Sequence, residues 1–159
     1  MNKKKSKKIS RILRKYFFYF VIFSLVGSLI EWAFKGGQGI SYDQGIYFLF
    51  GIKLLFIPFY GLGGLILIFF ERFLEKEKIK FIYQGFLDGV IIVTWELIGG
   101  LFTLLVLHQR FWNYSSQPFN FMGIISLKMF LVWIAIGYVF SLIYKYIIGH
   151  HFKIKWKIS

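Results

Sequence analysis

Four ionisable side chains interrupt stretches of sequence that are otherwise strongly apolar. Glu31, Asp88, Glu96 and Lys128 each lie among apolar and aromatic neighbours. Charge is costly to place in an apolar environment, so a carboxyl group there must be protonated, paired with a cation or solvated by a cavity. Carboxylates that converge with a lysine suit the binding of a polar substrate or cation better than covalent catalysis.

The motifs of nucleotide and covalent chemistry are missing from the sequence. Gly61-Leu-Gly-Gly64 lacks the Gly-Lys-Ser/Thr ending of a P-loop, and Gly-x-Ser-x-Gly and His-Glu-x-x-His do not occur. Adjacent His150 and His151 do not share a helical face, and the chain has no cysteine. We therefore predict no catalytic residue, no metal and no cofactor, and the sequence favours a protein that is not an enzyme.

The elements that must position these side chains are membrane-spanning helices. The sequence is 57% hydrophobic and 23% aromatic, which is typical of an integral membrane protein. Continuously apolar blocks near or above the roughly 20 residues of a spanning helix exclude a barrel of alternating strands. They run from Lys15 to Phe34, Leu54 to Phe70, Phe81 to Leu107 and Phe121 to Ile147. The predicted fold is all-α, a polytopic membrane bundle of about four transmembrane helices.

The second block has two possible geometries. Its helix either begins near Ile46 with Lys53 reaching outward, or residues 46–57 form an interfacial or re-entrant segment, which we favour. Pro58, Gly61, Gly63 and Gly64 follow closely. Such a cluster favours a broken or kinked helix.

The net charge of +13 is distributed unevenly along the chain. Sixteen basic residues lie before the first block, between the second and third, or around the C-terminal tail, against three in the other two connections. This bias predicts cytoplasmic termini and contact with lipid, and argues against nucleic acid as a partner. It divides the chain into a basic arm (1–15), a transmembrane bundle (16–147) and a basic tail (148–159).

Helical rise places two of the ionisable groups deep in the predicted spans. Glu96 lies roughly 16 Å below Leu107, and Lys128 about 10 Å below Phe121. Lys128 either pairs with Glu96 or extends its flexible side chain towards the outside. Glu31 lies near the outer end of the first span, where it either reaches water or faces the bundle.

The longest polar interruption is the segment from Phe111 to Gly123. It concentrates aromatic, hydroxyl and amide groups between the third and fourth blocks. The predicted topology places it outside, with Pro118 at the start of the descending helix. Its side chains either form a lid over a polar site or cap that helix and tie the two halves of the chain together.

Several motifs resemble those of a bacterial family of type IV ABC-transporter permeases (CmpB-like). Trp112-Asn113-Tyr114-Ser115 with Phe119-Asn120 and Gly123 resembles its Trp-Asp-Tyr-Ser…Phe-Asn…Gly signature. Pro58-Phe59-Tyr60-Gly61-Leu62-Gly63 is similar to its Pro-Ile-Tyr-Gly-x-Gly segment, and Glu31 and Glu96 match its glutamates. Asn113 replaces the family's aspartate. Gln44-Gly45 and Gly51-Ile52 replace its Arg-Gly and Gly-Pro pattern.

The resemblance, which covers Gly27 to Gly137, implies transport. Because the chain lacks a nucleotide motif, active transport needs a separate ATPase subunit, and so small a bundle is expected to form a homo-oligomer or membrane complex. The alternatives are a membrane enzyme acting on a lipid-linked substrate, or a non-catalytic assembly or partner subunit. The predicted substrate-binding residues are Glu31, Tyr60, Glu96, Asn113, Tyr114, Asn120 and Lys128.

Overall fold

Four helices long and apolar enough to cross a membrane dominate the structure. The structure, a computed structural model, describes residues 3–38 and 56–152. The helices are α1 (Lys3–Gln38), α2 (Phe56–Lys76), α3 (Phe81–Leu105) and α4 (Leu127–Ile143), and a π-helical turn (Tyr144–Ile148) and a short α5 (Gly149–Phe152) extend the fourth. This confirms the predicted all-α class and a multi-pass membrane protein.

Apolar side chains cover much of the surface of these helices. Leu131 on α4, Leu105 on α3 and Leu29 on α1 are all more than half exposed. In water, such a surface would be a large apolar patch, whereas lipid chains solvate it at no cost. The burial pattern therefore agrees with a bilayer environment.

The first of two compact units, Met1–Ile66, contains α1 and the first part of α2. Small residues bring the two helices close together. A Cβ atom at Gly61 would overlap Ser24 Oγ, and one at Gly64 would overlap the Phe23 ring. Ser24 is buried, so it lies on a face that another helix approaches closely, as its spacing from Ser28 predicts.

The predicted break in the Pro58 to Gly64 cluster is wrong. α2 is one continuous helix from Phe56 to Lys76. Pro58 and the glycines that follow it all lie within this helix. Residues 46–55 of the predicted re-entrant segment lie outside the described residues.

The second compact unit, Leu67–Ser159, contains the packing of α3 against α4. Gly85 and Gly89 on α3 face α4, and Gly137 on α4 faces them in return. A Cβ at Gly137 would overlap the Gly85 carbonyl oxygen and the Gly89 nitrogen. The four-residue spacing of small residues predicts a close approach of two helix backbones, and α3 and α4 make such an approach.

The fourth helix begins later than the sequence predicts. α4 starts at Leu127, not near Phe121, and Pro118 lies in the preceding turn. A two-stranded hairpin occupies the interval, pairing β1 (Asn120–Phe121) with β2 (Ile125–Ser126). Ser126 caps α4, because its Oγ accepts a hydrogen bond from Met129 N at 3.2 Å.

Candidate functional site

The candidate site is centred on Glu96, whose side chain is only 7% exposed within α3. Its two carboxylate oxygens each accept a hydrogen bond from a different part of the chain. Tyr114 Oη donates to Oε1 at 2.9 Å, and Trp133 Nε1 donates to Oε2 at 2.7 Å. Glu96 therefore links the loop after α3 to α4. Tyr114 and Trp133 also place two aromatic rings at the carboxylate.

The loop is folded by hydrogen bonds that fix the position of Tyr114. Tyr114 N donates to the carbonyl oxygen of Gly123 at 2.8 Å. Trp112 Nε1 donates to the carbonyl oxygen of Ile124 at 2.9 Å, and Arg110 Nη1 donates to that of Met122 at 2.8 Å. The loop therefore binds to the turn of its own hairpin, and its structure does not depend on Glu96 alone.

Position 123 in this turn accommodates glycine better than any other residue. Its φ is 65°, in the left-handed region, and a Cβ there would overlap Ser115 Oγ and lie 2.8 Å from Arg110 Nη1. The backbone of the turn thus closes onto the polar side chains of the loop.

The two asparagines of the predicted site make hydrogen bonds within the loop. Asn113 Oδ1 accepts from Ser115 N at 2.9 Å and from Ser115 Oγ at 2.5 Å. Asn120 Nδ2 donates to the Gln117 carbonyl at 2.8 Å, and its Oδ1 accepts from Gly123 N at 3.0 Å. These contacts stabilise the loop itself.

Of the seven predicted binding residues, the structure joins Glu96 directly to Tyr114. Lys128 is exposed in the first turn of α4. Tyr60 is in the other compact unit, where its ring lies against Gly27. Glu31 is in α1, but its side chain falls outside what the structure describes.

Trp133 is the residue of this site that the sequence reasoning missed. Its indole N–H is a hydrogen-bond donor, and such a donor inside a membrane needs an acceptor. A search for acceptors at the depth of Trp133 would have led to Glu96.

Replacement of Asn113 by the family's aspartate is predicted to preserve the loop. Asn113→Asp keeps the oxygen that accepts both hydrogen bonds from Ser115, whereas Asn113→Ala removes it. We expect Asn113→Ala to lower the free energy of unfolding by about 1–2 kcal/mol and Asn113→Asp to leave it unchanged or raise it. Thermal unfolding in a mild detergent measures the difference.

Ser116→Ala is the control for that series, because Ser116 is exposed in the same loop. It should unfold like the wild-type protein. Equal losses for Asn113→Asp and Asn113→Ala would show that the side-chain amide, not the shared oxygen, stabilises the loop.

Comparison with known proteins identifies one family. Its model, described as "Putative ABC-transporter type IV", matches residues 18–159. Neither the search of curated proteins nor that of solved structures finds a match. Because the family match covers α2, α3, α4 and most of α1, it includes the whole candidate site. The chain therefore belongs to the ABC-transporter type IV family, as the resemblance in its sequence predicts.

Proposed function

We propose that this protein is the membrane-spanning permease subunit of an ABC-type transport system, with Glu96 at the centre of its substrate site. The observation that carries this proposal is the Glu96 carboxylate, buried within a candidate span and held by Tyr114 and Trp133. Ionisable groups inside membrane spans are costly and tend to mark substrate or ion pathways. Family membership supports transport as the process.

The chemistry at Glu96 favours a polar substrate with cationic character. A carboxylate attracts a cation, and both Glu96 oxygens already accept hydrogen bonds from the donors Tyr114 Oη and Trp133 Nε1. A substrate ammonium group could replace Tyr114 or Trp133 as a hydrogen-bond donor to Glu96. Both carboxylate oxygens would then still accept a hydrogen bond. Such a substrate would release the loop from Glu96 as it binds, which couples binding to loop movement.

The other predicted residues complete the proposed substrate site. Asn113 and Asn120 act by shaping the loop, since their hydrogen bonds lie within it. Lys128 is exposed beside the hairpin at the start of α4, where it would repel cations and attract anionic groups of a mixed-charge substrate. Glu31 and Tyr60, which belong to the N-terminal unit, stay predictions from the sequence.

The energy for transport would come from a separate ATPase. The sequence has no P-loop, and the distribution of basic residues places the termini and the turn between α2 and α3 in the cytoplasm. An ATPase would therefore contact this protein at the end opposite to the Phe111 to Gly123 loop. The protein is expected to act in the bacterial inner membrane as an oligomer or membrane complex.

The test combines purification with transport assays on the full chain. Tagged protein is purified from its native membranes in mild detergent, and an ATPase is sought by mass spectrometry. Proteoliposomes of the resulting complex are then supplied with ATP and a panel of labelled cationic, zwitterionic and neutral solutes. We expect uptake of at least one cationic or zwitterionic solute, and at least a tenfold loss of that uptake in Glu96→Gln.

Thr94→Val is the matched control, because Thr94 is exposed on the same helix two residues away. It should transport like the wild-type protein, and the ATPase should co-purify with both variants. Absence of an ATPase together with absence of flux would overturn the proposal. Altered membrane lipids in Glu96→Gln without a transport defect would instead indicate an enzyme that acts on a lipid-linked substrate.

A further inference from the structure

A second polar cluster lies within the C-terminal unit, apart from Glu96. It joins Glu71 of α2, Asp88 of α3 and Ser141 of α4, whose exposed fractions are 1%, 0% and 1%. Ser141 Oγ lies 2.6 Å from Glu71 Oε1 and 2.8 Å from Asp88 Oδ2. One serine hydroxyl therefore bridges two carboxyl groups that have no exposure to solvent.

A count of hydrogens bears on the protonation of the two carboxyl groups. A serine hydroxyl has one hydrogen to donate, and an ionised carboxylate has none. Ser141 can donate to one carboxyl group, so the other contact is a hydrogen bond only if that carboxyl group donates to Ser141. Both contacts are hydrogen bonds only if at least one of Glu71 and Asp88 is protonated.

The two distances are compatible with a proton on Asp88. Hydroxyl hydrogen bonds to an ionised oxygen are about 2.5–2.7 Å long, and those between neutral groups centre on about 2.7–2.8 Å. The 2.6 Å contact to Glu71 fits Ser141 donating to a carboxylate. The 2.8 Å contact fits neutral Asp88 donating from Oδ2 to Ser141.

The second oxygen of Asp88 supports the same assignment. Asp88 Oδ1 is buried and has no hydrogen-bond partner among the described residues. An ionised carboxylate with an unpaired buried oxygen is far more costly than a neutral acid with an unpaired carbonyl oxygen. This orphan oxygen is thus tolerable when Asp88 is protonated.

We propose that Asp88 is a proton-binding site, in which Ser141 and Glu71 form the hydrogen-bonded chain that holds the proton. The ligand is a single proton taken from water. Binding converts the Asp88 carboxylate to the acid and lowers the charge of the Glu71 and Asp88 pair from two negative charges to one. This proposal does not rest on the transport function proposed for Glu96.

A pocket of about 310 Å³ lies in the same unit. Its lining residues are Arg72, Glu75, Lys76, Tyr144, Gly149 and Phe152. Glu75 lies one helical turn after Glu71, and Tyr144 lies one turn after Ser141. Tyr144 Oη lies 3.4 Å from Glu75 Oε2. Glu75 is exposed. The Glu75 and Tyr144 side chains therefore connect the pocket to positions one helical turn from Glu71 and Ser141.

The charges around Asp88 come from both neighbouring elements. On α2 the charged groups are Glu71 and, towards the pocket, Arg72 and Glu75. The Arg72 guanidinium lies over the Phe152 ring. The fourth span contributes Ser141 and Tyr144, and the ammonium group of Lys145 lies over the Phe81 ring. The wider turn of the π-helix begins at Tyr144, and such turns often occur at functional sites.

Infrared difference spectroscopy on the full-length protein in lipid vesicles tests the proposal. At neutral pH, the wild-type protein should show the carbonyl band of a protonated carboxyl group. Asp88→Asn, which preserves the shape of the side chain, should abolish this band. Ser141→Ala should shift its frequency, because the acid loses its hydrogen-bond acceptor. Glu77→Gln is the control, since Glu77 is an exposed carboxylate in the turn after α2, and it should leave the band unchanged.

An alkaline titration should remove the band with the loss of one proton per chain. Replacement of choline by Na⁺ at constant pH should leave it unchanged. A wild-type protein without the band, or a band that persists in Asp88→Asn, would overturn the assignment. Loss of the band on addition of Na⁺ would show that the cluster binds a metal cation instead. If Asp88→Asn fails to fold, the frequency shift in Ser141→Ala decides the question.

Discussion

Gly137→Ala is expected to lower the free energy of unfolding by about 3 kcal/mol, the upper end of the range for overpacking. The added methyl group would overlap the carbonyl oxygen of Gly85 and the backbone nitrogen of Gly89, and it would lie 2.9 Å from Gly89 Cα. Backbone atoms of a hydrogen-bonded helix cannot rotate away as a side chain can. The two helices must therefore separate, and they lose packing along their whole contact.

The neighbouring glycines give a graded series for this prediction. A Cβ at Gly89 would lie 2.5 Å from Ile134 Cα, which is also backbone, so Gly89→Ala should be nearly as damaging. The three atoms nearest to a Cβ at Gly85 all belong to the side chain of Tyr138 rather than to the backbone. We therefore expect the loss of unfolding free energy to be largest for Gly137→Ala, smaller for Gly89→Ala and smallest for Gly85→Ala. The loss for Gly85→Ala should be about 1 kcal/mol or more below that for Gly137→Ala.

Unfolding of each variant in mixed micelles with increasing denaturing detergent measures these losses. Ala135→Val is the control, because it adds volume on an exposed face of α4 two residues from Gly137. It should unfold like the wild-type protein. A loss for Gly85→Ala that exceeds the loss for Gly137→Ala would contradict the backbone contact between α3 and α4.

The sequence predicts features that depend on local composition. Apolar blocks predict the four spans because a spanning helix must satisfy its own backbone hydrogen bonds and present apolar side chains to lipid. The Gly85 and Gly89 spacing predicts a close helix contact for a similar reason, since small residues on one face remove a steric barrier. These features need no knowledge of which other element is nearby.

Features that depend on partners distant in sequence are harder to predict. Pro58 and the three glycines after it predict a break, yet α2 is continuous from Phe56 to Lys76. Pro118 marks a turn, but the later start of α4 follows from the hairpin and the Ser126 cap. Glu71 is expected at the end of its span, whereas α3 and α4 bury it with Asp88 and Ser141. Such juxtapositions are set by helix packing.

The candidate site was predicted in part for the same reason. The depth of Glu96 and the polar character of the 111–123 segment follow from the sequence. The contact between Glu96 and Tyr114 requires the loop to fold back over α3, which its internal hydrogen bonds bring about. Those bonds also explain why Asn113 and Asn120, although polar and close to the site, point their hydrogen-bonding groups at the loop.

Glu96→Ala is expected to lower the free energy of unfolding by about 3 kcal/mol and to release the loop. It leaves Tyr114 Oη and Trp133 Nε1 without the acceptor that each has in the wild-type protein. Hydrogen bonds to charged groups contribute about 1.5–3 kcal/mol each, although their contributions are not strictly additive. Glu96→Gln should lose less, because its amide oxygen still accepts one of the two bonds.

A double-mutant cycle separates the contribution of the loop from that of α4. Glu96→Gln and Tyr114→Phe should couple by about 1–2 kcal/mol in detergent unfolding, because both remove or weaken the same hydrogen bond. Amide hydrogen exchange should rise in residues 111–123 of Glu96→Ala, while the α3 and α4 amides near Gly89 and Gly137 stay protected. Thr94→Val, on the same helix, should alter neither measurement.

Additive losses in this cycle, with unchanged exchange in the loop, would show that Tyr114 is held by its own loop and not by Glu96. Coupling with faster exchange has a different consequence. A substrate cation that takes the place of Tyr114 at Glu96 would then weaken the hold on the loop by the same 1–2 kcal/mol, about a 5- to 30-fold change in the open population. The hydrogen bond that stabilises the resting structure would thus be the contact through which substrate binding changes it.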